Sequence, residues 1–183
     1  TADGTQPLTT QFDKNVQREW TRFRSKLGLQ SGERYTDFKR TEMEGDVGTW
    51  LRNQGFAFAD VQSEARIDST ENAVALRFLV APGPLSVVSE IAIEGNKSVS
   101  EKVIRRELPF QVGDRFSASK IKEGQRQLFD LNLFRVALVD VPSQPRDSTV
   151  TVRYRIRETK LRSYSGQVGY GTQPGITLEG RWR

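Results

Sequence analysis

The chain has 183 residues, 36% hydrophobic and 28% charged, which suits one large or two small folded units and is too apolar for a disordered chain. It contains no cysteine and no histidine, which excludes thiolate nucleophiles, Cys/His zinc centres and imidazole acid–base chemistry. No carboxylate spacing singles out a catalytic pair, so no catalytic residue, metal site or cofactor is expected.

No apolar run approaches the ~18–20 residues of a membrane-spanning helix. No signal peptide opens the sequence, so any export signal is expected to have been removed or to lie outside it. The net charge of +5 is uneven: residues 1–83 carry 11 basic and 12 acidic side chains, residues 84–160 carry 14 and 10, and residues 161–183 carry 3 and 1. The positive surplus therefore belongs to the second half.

Thr1–Gln11 shows no alternating apolar pattern. Phe12, Val16, Trp20, Phe23 and Leu27 then fall at helical steps and predict an amphipathic helix. A turn at Gly32 follows, then a helix from about Asp37 to Asn53 with Met43, Val47, Trp50 and Leu51 inward and Gly55 as its stop. Gly45–Gly48 spells a G-x-x-G, but Asp46 would repel phosphates and the run lies inside the helix. Two strands come next, one placing Val61, Ser63, Ala65 and Ile67 on a single face, the other Val74, Leu76, Phe78 and Val80. Ala81–Pro82–Gly83–Pro84 is a short connection stiffened by two prolines.

The second half opens with a strand, Val87–Glu94, with Val87, Ile91 and Ile93 expected on one side and Glu90 and Glu94 on the other. Gly95 and Asn96 are expected to turn the chain through positive φ. The sequon at Asn96–Ser98 is common by chance. Ser98 and Glu101 are spaced as a capping box for a short helix carrying Val103, Ile104 and Leu108. A turn at Gly113 leads to a helix from Ser119 to about Leu131, then a strand at Phe134–Val141. The stretch TVTVRYRIRET, Thr149–Thr159, alternates Val150, Val152, Tyr154 and Ile156 with Arg153, Arg155 and Arg157, giving a strand with one buried and one basic face. In the tail, Tyr164–Gly171 and Ile176–Trp182 alternate around TQPG.

The two halves repeat one pattern. Leu27–Thr36 reads LGLQSGERYT and Leu108–Ser117 reads LPFQVGDRFS; Leu, Gln, Gly and Arg recur at an offset of 81, and most other positions keep their class. An element order of β-α-α-β-β fits the second copy.

A strand ending in IEGN, then SVSEKVIRREL, QVGDRFS, a helix and LNLFRVALV together resemble the polypeptide-transport-associated (POTRA) family across about 84–160. SGERYT and LRNQGFAFADV extend the likeness to the first copy, whose first strand is missing or degenerate. VGYGTQPGITLEGRW is similar to the first barrel hairpin of BamA/TamA-type outer-membrane protein assembly factors, the surface antigen family. The resemblance implies an α+β fold: tandem POTRA domains at 1–83 and 84–160, then the start of a transmembrane β-barrel at 161–183. In each domain two helices would cover one face of a mixed three-stranded sheet ordered first, third, second.

The resemblance further implies a periplasmic polypeptide-binding module at the bacterial outer membrane, anchored by the barrel. Its partners would be unfolded outer-membrane or secreted polypeptides, together with accessory assembly proteins, captured by strand augmentation. The edge strand would be Phe134, Arg135, Val136, Ala137, Leu138, Val139, Asp140 and Val141, with Arg135, Ala137 and Val139 facing away from the helices. Val61–Asp68 is the equivalent edge in the first copy, where Arg66 and Asp68 would discourage pairing.

Two alternatives stay open: a two-partner secretion transporter, and a basic α+β nucleic-acid-binding domain. The arginine ladder, Arg153, Arg155 and Arg157, reads as a solvated face compensated by Glu90 and Glu94, or as a patch for anionic headgroups or acidic segments. Nucleic acid fits it poorly, because Tyr154 points the other way and leaves no stacking platform.

Overall fold

The computed structural model describes residues 14–27, 33–141, 148–159, 164–171 and 175–182. Thr1–Gln11, where the first strand of the first copy would fall, and the turn at Gly32 lie outside the described residues.

The first module contains helix α1 (Lys14–Arg24), helix α2 (Asp37–Asn53) and an antiparallel pair, β1 (Asp60–Asp68) and β2 (Ala73–Ala81). Its core joins Val16 of α1 to Val47 and Leu51 of α2 and to Val61 of β1. Trp20, Phe23 and Trp50 pack on it, the Phe23 and Trp50 rings stacked with centroids 5.5 Å apart. Arg40 Nη1 donates to Ser63 Oγ at 3.0 Å, and Ser63 Oγ donates to Glu44 Oε2 at 2.6 Å, fastening α2 to β1.

The face expected of β1 is buried only at its start. Val61 is in the core, whereas Ala65 and Ile67 are exposed. Asp68 forms the turn after β1: its Oδ1 accepts the N–H groups of Thr70 and Glu71 at 2.9 and 3.2 Å.

The second module contains β3 (Val87–Glu94), α3 (Glu101–Arg106), α4 (Ala118–Asp130), β4 (Phe134–Asp140) and β5 (Thr149–Glu158). The sheet order is β3-β5-β4, with β3 parallel and β4 antiparallel to β5. Val150, Val152, Tyr154 and Ile156 of β5 enter the core against Ile104 of α3 and Leu128 of α4. Tyr154 is fully buried, and its hydroxyl donates to the Ile121 carbonyl at 2.9 Å, in a space that Gly124 leaves open.

The repeat is visible in space: Thr36 and Ser117 each precede the longer helix, which starts at Asp37 and at Ala118. Thr36 Oγ1 accepts the Lys39 N–H at 3.2 Å.

The modules join through short polar bonds. Ser86 N–H donates to the Gly55 carbonyl at 2.8 Å, and Asn53 Oδ1 accepts the Ser119 N–H at 2.8 Å, so the first module caps the start of α4. Gly55 has φ +100 and lies against Leu85 and Arg115, where a Cβ would collide. A last antiparallel pair, β6 (Tyr164–Gly171) and β7 (Gly175–Trp182), follows the second module in sequence.

Three local expectations are corrected. A bulge between Val88 and Glu90 reverses the start of β3, so Val88 is buried and Val87 is exposed. Ser100, not Ser98, is the N-cap of α3, and Glu101 pairs with Arg105 instead of closing a capping box. Asn96 does not have positive φ; its side-chain amide donates to the Val99 carbonyl at 3.2 Å. Gly95 and Gly113 do have it, both at φ +94.

Candidate strand-addition edge

The three-stranded sheet has two outer strands, β3 and β4, and the chain treats them differently. Along β3 the loop from Gly113 to Phe116 lies against the edge. Val88 N–H donates to the Asp114 carbonyl at 2.9 Å, Gly113 N–H donates to the Val88 carbonyl at 2.7 Å, and Val87 bridges Arg115. Further along, Arg105 Nη2 donates to the Ile91 carbonyl at 2.7 Å. A neighbouring strand would have to displace all of these.

The β4 edge follows from the direction of its main-chain groups. Thr159 N–H donates to the Leu133 carbonyl at 2.8 Å, so this side of β5 serves β4. The Ile156 carbonyl points the other way, toward Gly95 after β3. Alternation along β5 then gives Arg153, Arg155 and Arg157 the groups that bond Asp140, Leu138 and Val136 of β4. Ala137 and Val139, opposite Ile156 and Tyr154, turn their N–H and C=O groups outward.

The side chains of β4 correct the sequence expectation. Phe134 and Ala137 are buried and Val139 packs on the core, whereas Arg135 and Leu138 are exposed, Leu138 by 57%. A bulge between Phe134 and Val136 adds one residue and shifts the alternation by one. Ala137 and Val139 therefore face the helices with their side chains, while Val136, Leu138 and Asp140 share the outer face. The strand ends at Asp140, and Val141 follows it half-buried against the core.

The arginine ladder lies on that outer face. Arg153 Nε is 3.0 Å from Glu94 Oε1, close enough for charge attraction although the angle is not that of a hydrogen bond. Arg155 stands 3.7 Å from Glu94 and 3.4 Å from Asp140. Asp140 is the partner the sequence did not reveal. Glu90 instead accepts from Thr151 Oγ1 at 3.5 Å. Arg157 is exposed and forms no ion pair among the described residues.

Sequence reasoning also missed Glu158. Its carboxylate accepts the N–H groups of Lys97, Ser98 and Val99 at 2.7–3.1 Å, closing the turn after β3. These backbone donors stabilise the charged form and hold its pKa at about 2, below an ordinary 4.5.

Two helices over one face of a mixed sheet ordered first, third, second, beside a second copy of the same helix-and-strand pattern, define a tandem polypeptide-transport-associated architecture. The chain belongs to the POTRA family, described as surface antigen variable number repeat, which matches residues 20–83 and 86–159. It is similar to the outer membrane protein assembly factor BamA of Nitratidesulfovibrio vulgaris, 25% identical over 127 residues, 69% of this chain and 16% of that protein. It therefore spans about a sixth of that curated relative's length.

Among solved structures, BamA from Haemophilus ducreyi lacking POTRA domains 1–3 superposes with a TM-score of 0.70. The two are 21% identical, over 92% of this chain and 32% of that one. POTRA3–5 of Haemophilus influenzae BamA gives 0.65 at 21% identity, over 78% and 56%. These likenesses show the fold.

Proposed function

We propose that this chain is the membrane-proximal periplasmic part of a BamA-type outer-membrane protein assembly factor, and that its β4 edge captures extended polypeptides by strand addition. In the full-length protein it would lie on the periplasmic side of the bacterial outer membrane. The β6–β7 hairpin opens the transmembrane barrel: its alternation suits one lipid-facing and one lumen-facing side, and a single hairpin needs further strands to close in lipid.

The observation that carries the capture reading is the contrast of edges. β3 is covered by a loop and an arginine, whereas β4 turns the main-chain groups of Ala137 and Val139 outward. Main-chain pairing is indifferent to most client side chains, which suits a receptor for many unfolded β-barrel precursors. The exposed Leu138 adds an apolar contact on the outer face.

The test uses a photo-crosslinker in place of Leu138 and an unfolded outer-membrane β-barrel protein as client. Val139→Pro removes an edge donor without removing a bond to β5, so the crosslink yield falls while the circular dichroism spectrum is retained. An unchanged yield would overturn capture at β4.

A further inference from the structure

Among the described residues, one side chain meets the outward main-chain groups of the β4 edge. Gln125 of α4 sends its side-chain amide to the strand, and Nε2 donates to the Ala137 carbonyl at 2.7 Å. That carbonyl is one of the acceptors β4 turns away from β5, as the main-chain alternation above establishes. A helix side chain thus occupies an atom that an added strand would use. The bond is not needed to complete the sheet, since Ala137 pairs with Ile156 as a position whose groups point outward on both strands. Nor does it close the core: Gln125 is half-buried, beside the fully packed Gly124 and three residues before the buried Leu128.

We infer that Gln125 is a latch on the capture edge: it holds the Ala137 carbonyl in the unoccupied protein and must release it for a polypeptide strand to pair along β4. This inference rests on the edge-capture reading and adds its regulation. An unpaired strand edge is a standing risk of indiscriminate pairing, which proteins manage with local blocks. β3 carries a permanent block of loop and arginine. β4 carries a single neutral side chain that competes for one acceptor, so only a strand able to form several bonds at once displaces it. Short or poorly aligned segments are rejected, and extended segments that match the edge over several residues are retained.

The competition has a direction. Where the side chain at 125 cannot donate, the acceptor is already free and binding tightens by the worth of one neutral hydrogen bond, about threefold to tenfold. Gln125→Ala removes the amide. Gln125→Glu keeps its size but presents a carboxylate, which cannot donate and repels the carbonyl. Gln125→Lys restores a donor of sufficient reach and should bind as the parent does. Damage to the fold would weaken binding, so tightening separates a latch from a structural role.

The experiment titrates the full chain, by NMR, with a short synthetic peptide alternating tyrosine or valine with serine and ended by lysines for solubility. The expected result is tighter binding by Gln125→Ala and Gln125→Glu, parental binding by Gln125→Lys, and loss of binding by Val139→Pro. If Val139→Pro abolishes binding but Gln125→Ala and Gln125→Glu bind no more tightly than the parent, the latch is overturned and edge capture survives. If Val139→Pro leaves binding intact, edge capture fails and the latch fails with it.

Discussion

The two edges of one small sheet show how a fold can close one side and leave the other available. β3 and β4 both border β5, both carry a bulge, and both place apolar side chains in the same core. What separates them is what lies against each among the described residues. The segment leaving α3 doubles back along β3 and donates and accepts main-chain bonds at Val88. Along β4, nothing among the described residues but Gln125 reaches the outward groups. The difference lies in the groups packed against each strand rather than in its composition, for both strands read as alternating and partly apolar.

The difference can be broken or sharpened by substitution. The largest effect is expected at Gly95, where φ is +94 and an added Cβ would overlap the Ile156 carbonyl oxygen. Gly95→Ala should part β3 from β5 and destabilise the second module by about 3–5 kcal/mol, measured by urea unfolding. Both edges would be lost together. Val139→Pro trims a side chain that packs on the core but keeps every bond to β5, so it should cost far less stability than Gly95→Ala and remove capture at β4 alone.

Arg105→Ala should work in the opposite sense, freeing the Ile91 carbonyl and giving β3 weak, detectable peptide binding by NMR. The loop at Gly113–Phe116 still covers the strand's start, so this gain should stay below the affinity of β4.

The smallest effect concerns Glu158, which fixes the turn closing the end of β3. Its carboxyl ionises at about 2 in the folded chain against an ordinary 4.5. A depressed pKa means the unfolded chain binds the proton more readily. The contribution is therefore complete above about 4.5 and is lost as the pH falls toward 2. Thermal unfolding followed across that window should show a steeper decline for the parent than for Glu158→Gln.

Much of this was legible in the sequence, for identifiable reasons. The α2 limits and the burial of Val150, Val152, Tyr154 and Ile156 follow from periodicity and turn chemistry, which act over a few residues, whereas the sheet order came from the family resemblance alone. The faces of β3 and β4 were misjudged because a bulge inserts one residue without any apolar or polar mark of its own, as at Arg135. Glu158 and Gln125 escaped notice for a different reason. Glu158 meets partners 59–61 residues away, and Gln125 meets a carbonyl 12 residues on, contacts created only when helix and sheet come together. Asp140 was assigned to an edge and not to the arginine ladder because strand register, not spacing, brings it beside Arg153 and Arg155.

The most direct measurement is amide hydrogen exchange, read residue by residue by NMR on the full chain with and without the alternating tyrosine–serine peptide. Strand addition at β4 requires the Ala137 and Val139 amides to become protected when the peptide is present, with the Val88 amide, already bonded to Asp114, unchanged. Protection appearing along β3, or no change at Ala137 and Val139 while the peptide is bound, would contradict capture at the β4 edge.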